Sequence, residues 1–263
     1  MKIKKRLDVL LVEQGYAETR TKAQAIIMSG LVYVDGQKAD KPGTSYEESL
    51  PIEVRTGSCP YVSRGGLKLE KALRDFGVDP TGYVCSDSGA STGGFTDCLL
   101  KRGAKRVYAI DAGVGQLHPS LLEDSRVCSI EKFNARELNP DVTEGMCDVA
   151  VADVSFISQT YIIPPLAAVL RDGGGFVSLI KPQFEAGSSA LGKGGIVTSS
   201  AYRFLAVKRV LSCAIENGFD CKGLIPSPIT GGDGNKEYLA YFEKSGVITP
   251  KIDDKYIKRI TAL

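Results

Sequence analysis

The sequence predicts an α/β protein: a doubly wound domain on a seven-stranded, mostly parallel sheet, preceded by a small α+β domain. Two patterns predict it. From Tyr83 onward, short apolar runs alternate with glycine-rich turns and amphipathic stretches, the order that builds parallel sheets covered on both faces. Before residue 60 the runs are shorter, and Thr56 to Gly66, rich in turn formers and poor in periodicity, separates the two patterns. The expected limits are residues 1–58 for the small domain, 59–66 for a linker, 67–246 for the large domain and 247–263 for a tail forming a short helix.

In the small domain, Leu7, Leu10 and Leu11 recur at helical spacing, and Ala23, Ile26 and Ile27 do so again behind the candidate N-cap Thr19. Gly30 suits the position just past the second helix. Residues 31–34 then read as a strand turning at Asp35-Gly36, and 52–54 as a closing strand. In the large domain the first helix is expected at 67–76, with Leu69, Ala72, Leu73 and Phe76 on one face. Strands are expected at 83–87, 106–110, 127–130, 149–153, 175–180, 221–225 and 238–242. Further helices are expected at 94–100 and 201–217, the latter burying Phe204, Val207, Leu211, Ala214 and Ile215.

A net charge of +2 over 263 residues does not by itself announce a nucleic-acid binder. Locally the balance differs: the first thirty residues hold Lys2, Lys4, Lys5, Arg6, Arg20 and Lys22 against Asp8, Glu13 and Glu18. The seven cysteines form no C-x-x-C pair, and the single histidine, His118, leaves a zinc site or a His-based triad short of ligands, so no metal is expected. No apolar run approaches the ~18 residues of a membrane span. The charged start Met1 to Arg6 leads into an amphipathic helix, unlike a signal peptide, so a cytoplasmic protein with reduced thiols is expected.

The order Arg-Leu-Asp, Thr-Arg-Thr-Lys-Ala-Gln and Ser-Gly-Leu-Val-Tyr-Val-Asp-Gly over residues 5–55 resembles the alpha-L RNA-binding motif of ribosomal proteins, pseudouridine synthases and tyrosyl-tRNA synthetases. The resemblance implies an RNA-binding domain. Lys5, Arg6, Arg20 and Lys22, with Arg64 in the linker, are then the candidates to neutralise phosphates and release counterions; a solvated helix face is the plainer reading of the same charges.

Asp87-Ser88-Gly89-Ala90-Ser91-Thr92-Gly93-Gly94-Phe95 ends the first large-domain strand and opens a helix, the position where open α/β sheets bind ligands. Its glycines would let backbone approach a ligand without an intervening Cβ. The next strand ends at Asp111-Ala112, where a carboxylate can accept hydrogen bonds from ribose hydroxyls. These features suit a nicotinamide dinucleotide or S-adenosylmethionine; the form D-x-G-x-x-x-G-G-F looks like that of methyltransferases. Asn134 is placed either to meet an adenine edge or to cap a turn. The candidate cofactor residues are therefore Asp87, Gly89, Ala90, Ser91, Gly93, Gly94, Phe95, Asp111, Ala112, Asn134 and Asp153.

Asp153 and Lys181 end neighbouring apolar strands with opposite charge, which is costly unless they share a site. Glu237 opens a late strand, and Lys68 lies on the helix before the first one. Together Lys68, Asp153, Lys181 and Glu237 resemble the Lys-Asp-Lys-Glu tetrad of FtsJ-like ribose 2′-O-methyltransferases. Ser63-Arg64-Gly65-Gly66-Leu67-Lys68, Ala152-Asp153-Val154-Ser155-Phe156-Ile157-Ser158, Lys181-Pro182-Gln183-Phe184-Glu185 and Gly234-Asn235-Lys236-Glu237-Tyr238 extend the likeness to the TlyA (hemolysin A) family over nearly the whole chain. That resemblance implies a Rossmann-like S-adenosylmethionine-dependent methyltransferase fold and methylation of a cytidine 2′-hydroxyl in ribosomal RNA or ribosomal subunits, with no obligate protein partner. Ser88 and Leu122 depart from the family pattern outside the tetrad. A non-catalytic RNA-binding or assembly factor is the alternative; a membrane-active hemolysin lacks an apolar span or cationic amphipathic helix here. The Gly- and Ser-rich stretch 184–197 reads as a lid over the donor or as an ordinary surface loop.

Overall fold

The computed structural model describes residues 4–28, 30–54, 59–231, 234–249 and 252–263. The first three residues and residues 55–58, where the sequence places the charged leader and the start of the linker, lie outside the described residues.

The small domain contains β1 (Lys4–Arg6), α1 (Leu7–Glu13), α2 (Arg20–Met28), β2 (Val32–Val34), β3 (Gln37–Lys38), β4 (Ser45–Glu47) and β5 (Ile52–Val54). Leu7, Leu10 and Leu11 of α1 and Ala23 and Ile27 of α2 close over Val32, Val34 and Ile52, so the apolar periodicity marks a buried core. The β2–β3 hairpin turns on Asp35 and Gly36, both at positive φ, the pairing a two-residue turn requires. β5 pairs with β2 from the other side. The antiparallel β1–β4 ribbon is an addition to the expected elements.

The large domain runs α3 (Gly65–Phe76), β6 (Val84–Ser88), α4 (Gly94–Lys101), β7 (Arg106–Ile110), α5 (Pro119–Leu122), β8 (Val127–Ile130), β9 (Cys147–Ala152), α6 (Ile163–Val169), β10 (Leu170–Ile180), α7 (Pro182–Glu185), α8 (Ser200–Glu216), β11 (Phe219–Pro226), β12 (Tyr238–Lys244) and α9 (Asp254–Ala262). The sheet order is β11-β12-β10-β9-β6-β7-β8. Neighbours from β10 through β8 are parallel, while β12 runs antiparallel between β10 and β11. All seven expected strands are present, with ends shifted by a few residues.

Strand alternation splits the core into two layers. Val149 and Val151 of β9 face Leu69 and Leu73 of α3 and Leu99 of α4, whereas Ala150 and Ala152 face Leu166 of α6, Val207 of α8 and Ile257 of α9. α8 buries Arg203, Val207, Val210, Leu211 and Ala214; Ile215, expected on this face, is exposed because the buried stripe runs one position earlier. The tail helix α9 is capped by Asp253, whose carboxylate accepts the Tyr256 N–H at 2.7 Å.

Candidate active site

From β6 the chain first winds outward through β7 and β8, then returns to the other side of β6 as β9. This reversal opens a crevice at the carboxyl ends of β6 and β9. The loops after β6, β9 and β10 meet there, joined by the start of β12, since an antiparallel strand begins where its parallel neighbours end. The register places Tyr238 opposite Ile180 and so brings Glu237 beside Lys181.

The four charged residues converge as two ion pairs. Lys68 Nζ lies 2.6 Å from Glu237 Oε2, with the side chains 11% and 2% exposed. Lys181 Nζ lies 2.6 Å from Asp153 Oδ1, off the hydrogen-bonding direction, and donates its directed bond to Ser155 Oγ at 2.7 Å. Burial pushes the Asp153 carboxyl up, but Lys181 and then Lys68 outweigh it and hold the group below the usual carboxylate range. Lys68, Asp153, Ser155 and Lys181 line a cleft of about 340 Å³ with Gly89, Ala90, Ser91, Gly94 and Phe95. Met28, Asp40 and Lys41 of the small domain and Ser63 and Arg64 of the connecting segment also line it, as do Ile229 and Thr230 from the segment before β12.

The glycine-rich turn is fixed to β7: Gly89 and Ala90 donate to the Ile110 carbonyl, and Ser91 N donates to Asp111 Oδ2 at 2.8 Å. Its glycines mostly serve protein packing instead of ligand approach. A Cβ on Gly94 would lie 2.2 Å from Ser63 Oγ, one on Gly93 2.2 Å from Leu121 Cδ1, and one on Gly89 2.6 Å from the Asp153 carbonyl oxygen. The ring of Phe95 is buried against Gly65. Asp111 Oδ1 also accepts the Gly113 N–H, and Ala112 is exposed beside it. Gln116, not foreseen from sequence, packs over Gly113 and accepts a bond from Ser91 Oγ, leaving about 10 Å³ of space beside Asp111. Asn134 Oδ1 accepts the Arg136 N–H as the cap of a short 3-10 turn, the second of its two sequence readings.

Asp87 is sealed beneath the turn. Its Oδ2 accepts the Thr96 hydroxyl at 2.7 Å, Oδ1 has no hydrogen-bond partner, and burial pushes the carboxyl up to about 7. The folded protein therefore holds this proton more tightly than the unfolded chain does, and stability from this group falls as pH rises from about 4 through 7. Asp87→Asn removes the ionisation while keeping an acceptor for Thr96. Its advantage over the parent in urea unfolding is expected to grow to on the order of 1 kcal/mol between about pH 5 and about pH 8. A gap that stays constant with pH contradicts the assignment.

The expected RNA-contacting cations have partners within the small domain. Asp8, fully buried, accepts bonds from Arg6, Arg20 and Gln24 at 2.9–3.0 Å, which fixes both arginines while leaving much of each exposed. Lys5 pairs with Glu13 and Glu48, and Lys22 with Glu18. Arg64 stands apart: the position a Cβ would take on Gly30 lies 2.5 Å from Arg64 Nε and 2.7 Å from Lys38 Nζ, so two cations meet where the domains join.

Sequence reading missed Ser155, Phe156 and Glu185. Phe156 holds a left-handed backbone at φ 62° with 92% of its surface exposed, and packs on Phe184 at 5.2 Å between ring centres. A large exposed aromatic at positive φ has no signature in a single sequence, where such a residue reads as core.

An FtsJ-like methyltransferase model matches residues 61–244 and an S4 domain model residues 5–50. Hemolysin A of Brachyspira hyodysenteriae is 46% identical over 238 residues, 90% of this chain and 99% of that protein. The 16S/23S rRNA (cytidine-2′-O)-methyltransferase TlyA of Mycobacterium tuberculosis is 42% identical over 237 residues, 90% of this chain and 88% of that one. A solved Streptococcus thermophilus protein described as a hemolysin superposes with a TM-score of 0.78 at 45% identity, covering 100% of this chain and 96% of its own. An S4 domain joined to an FtsJ-like methyltransferase domain, with relatives of this similarity along most of its length, makes the chain a member of the TlyA (hemolysin A) family.

Proposed function

We propose that the protein transfers a methyl group from S-adenosylmethionine to the 2′-hydroxyl of a cytidine in ribosomal RNA. The observation that carries this reading is the convergence of Lys68, Asp153 and Lys181 on a cleft whose wall includes residues of both domains, with Glu237 paired to Lys68 behind it. The donor supplies an electrophilic methyl on a sulfonium sulfur. Gly89, Ala90, Ser91 and Asp153 would hold it along the turn, with Asp111 accepting from ribose hydroxyls through lone pairs that its two backbone donors leave open. Gln116 must swing aside to admit an adenosine there.

Methyl transfer asks the protein mainly to align a hydroxyl and relieve it of a proton. Lys181 Nζ, held between Asp153 and Ser155, would orient the ribose oxygen and accept that proton, while Lys68, held by Glu237, would help fix the sugar. Phe156 offers an exposed ring to a base whose sugar reaches Lys181, as a nucleotide drawn out of a helix would require. The juxtaposed Lys38 and Arg64, neither ion-paired with another described residue, and the Arg6–Asp8–Arg20 cluster would bind phosphates. Among the described residues no helix is long and apolar enough to cross a membrane. A ribosomal RNA substrate would place the protein in the cytoplasm.

Incubation with tritiated methyl donor and with each purified ribosomal subunit, followed by mapping of alkali-resistant linkages, is expected to reveal 2′-O-methylcytidine. Donor binding without transfer to either subunit or to free ribosomal RNA would favour a non-catalytic assembly factor.

A further inference from the structure

The segments that carry Asp153 and Lys181 are cross-linked at both ends. At the cleft, Lys181 meets Asp153 and Ser155. At the far end Glu185, 3% exposed, closes α7 and reaches back to the loop that follows β9: Oε2 accepts the Ser158 hydroxyl at 2.5 Å and Oε1 accepts the Gln159 N–H at 2.7 Å. Gln159 is itself anchored, its side-chain amide donating to the Leu179 carbonyl at 3.1 Å. Between the two cross-links the rings of Phe156 and Phe184 pack together.

Phe156 pays twice for this arrangement, in a backbone region that bulky residues avoid and in apolar surface left in water. A conformation unfavourable on both counts persists only where its surroundings impose it. Val154 and Ile157 pack against the core on either side of the exposed Ser155 and Phe156, and the bonds to Ser158 and Gln159 fix the end of the loop that returns from them. A buried carboxylate is expensive to hold, and its use here to fix two consecutive residues of a short loop indicates that the loop's shape matters.

We propose that Glu185 is a positioning residue: by fixing Ser158 and Gln159 it sets the geometry of Ser155 and Phe156 against Lys181, and thereby aligns the accepting ribose without touching substrate or donor. This rests on the methyl-transfer reading for what the loop aligns, but the clamp itself is a property of the fold. Two consequences separate it from a merely structural role. Loss of the clamp lowers kcat while donor affinity, set by the turn after β6 and by Asp153, whose N–H stays bonded to the Ser88 carbonyl, changes little. Glu185→Gln, which keeps the shape and one carbonyl acceptor, recovers part of the activity that Glu185→Ala loses.

The test uses the full-length protein with Glu185→Ala, Glu185→Gln and Ser158→Ala, each assayed well below its own unfolding transition. For Glu185→Ala, kcat with ribosomal RNA is expected to fall about tenfold to hundredfold, the scale of a slightly misplaced reacting group. Donor Kd by calorimetry should stay within about twofold, and Glu185→Gln and Ser158→Ala should be intermediate. Amide hydrogen exchange should accelerate in residues 153–161 and not in the turn 89–94. A kcat equal to the parent's, or a parallel loss of kcat and donor affinity, overturns the proposal. Should Glu185→Ala not fold, Ser158→Ala decides by the same measures. Should the parent protein transfer no methyl to RNA, the methyl-transfer reading fails first, and the exchange experiment still decides the clamp: unchanged exchange in residues 153–161 sinks it.

Discussion

Lys181→Ala is expected to lower single-turnover methyl transfer by about three orders of magnitude, within the range for loss of a positioned proton acceptor, while donor affinity stays within about threefold. The two effects separate because they reside on different elements. Lys181 follows β10, whereas the turn that would hold most of the donor is tied to β7 through the Ile110 carbonyl and Asp111, and Asp153, which would share in holding it, keeps its backbone bond to Ser88 when Lys181 is lost. Lys181→Arg distinguishes orientation from proton acceptance, since a guanidinium keeps the charge next to Asp153 but does not give up its proton in a protein. Activity restored by arginine would mean that Lys181 only orients the oxygen. Activity as low as that of the alanine variant would mean that its proton chemistry is required. Turnover unchanged in Lys181→Ala would remove the residue from the reaction. The Asp153 carboxylate left behind is partly solvated and still near Lys68, so the substitution is expected to reduce activity far more than stability.

Part of the charged cluster is legible in the sequence, because Asp153 and Lys181 place charges at the ends of apolar strands, which is costly unless they are paired or share a site. Glu237 is less legible, since its strand is antiparallel: the family resemblance groups it with the other three, and its pairing with Lys68 is visible only in the structure. Residues whose roles depend on distant neighbours stayed hidden. Asp8 looks like an ordinary solvated position in the first turn of α1; its burial follows from the approach of Arg20 and Gln24 on another helix. The strands of the β1–β4 ribbon, Lys4–Arg6 and Ser45–Glu47, carry no apolar alternation, and their pairing is supported by cross-strand contacts such as Lys5 with Glu48. α6 opens with two prolines, residues that signal an interruption locally yet are well suited to a helix's first turn. The turn glycines were recognised from spacing, but what fills the space their missing Cβ atoms leave, Ser63 and Leu121, is a matter of tertiary packing.

The Lys68–Glu237 pair yields the largest expected effect on stability. Both charges are almost out of water and each is the other's counter-ion at 2.6 Å, in a space kept open by Gly231, where a Cβ would lie 2.6 Å from Glu237 Oε1. Replacing one partner leaves the other buried without its near counter-ion: Lys68→Met is expected to cost about 3–5 kcal/mol in urea unfolding, and Glu237→Leu less, because Lys68 keeps the attraction of Asp153. The double variant places two apolar side chains of similar volume in contact and removes both desolvation penalties, so its stability should return to within about 1 kcal/mol of the parent. Costs that simply add in the double variant would show that the side chains do not act as a pair. Methyl transfer should remain lost in all three. An apolar replacement that folds as well as the native pair but catalyses nothing would mean that the pair is kept for what it does to a ribose and not for the fold. Its geometry suits that use: Lys68 lies on the first helix after the connecting segment and Glu237 at the start of an antiparallel strand, so the pair joins the element nearest the RNA-binding domain to the strand ends where transfer would occur.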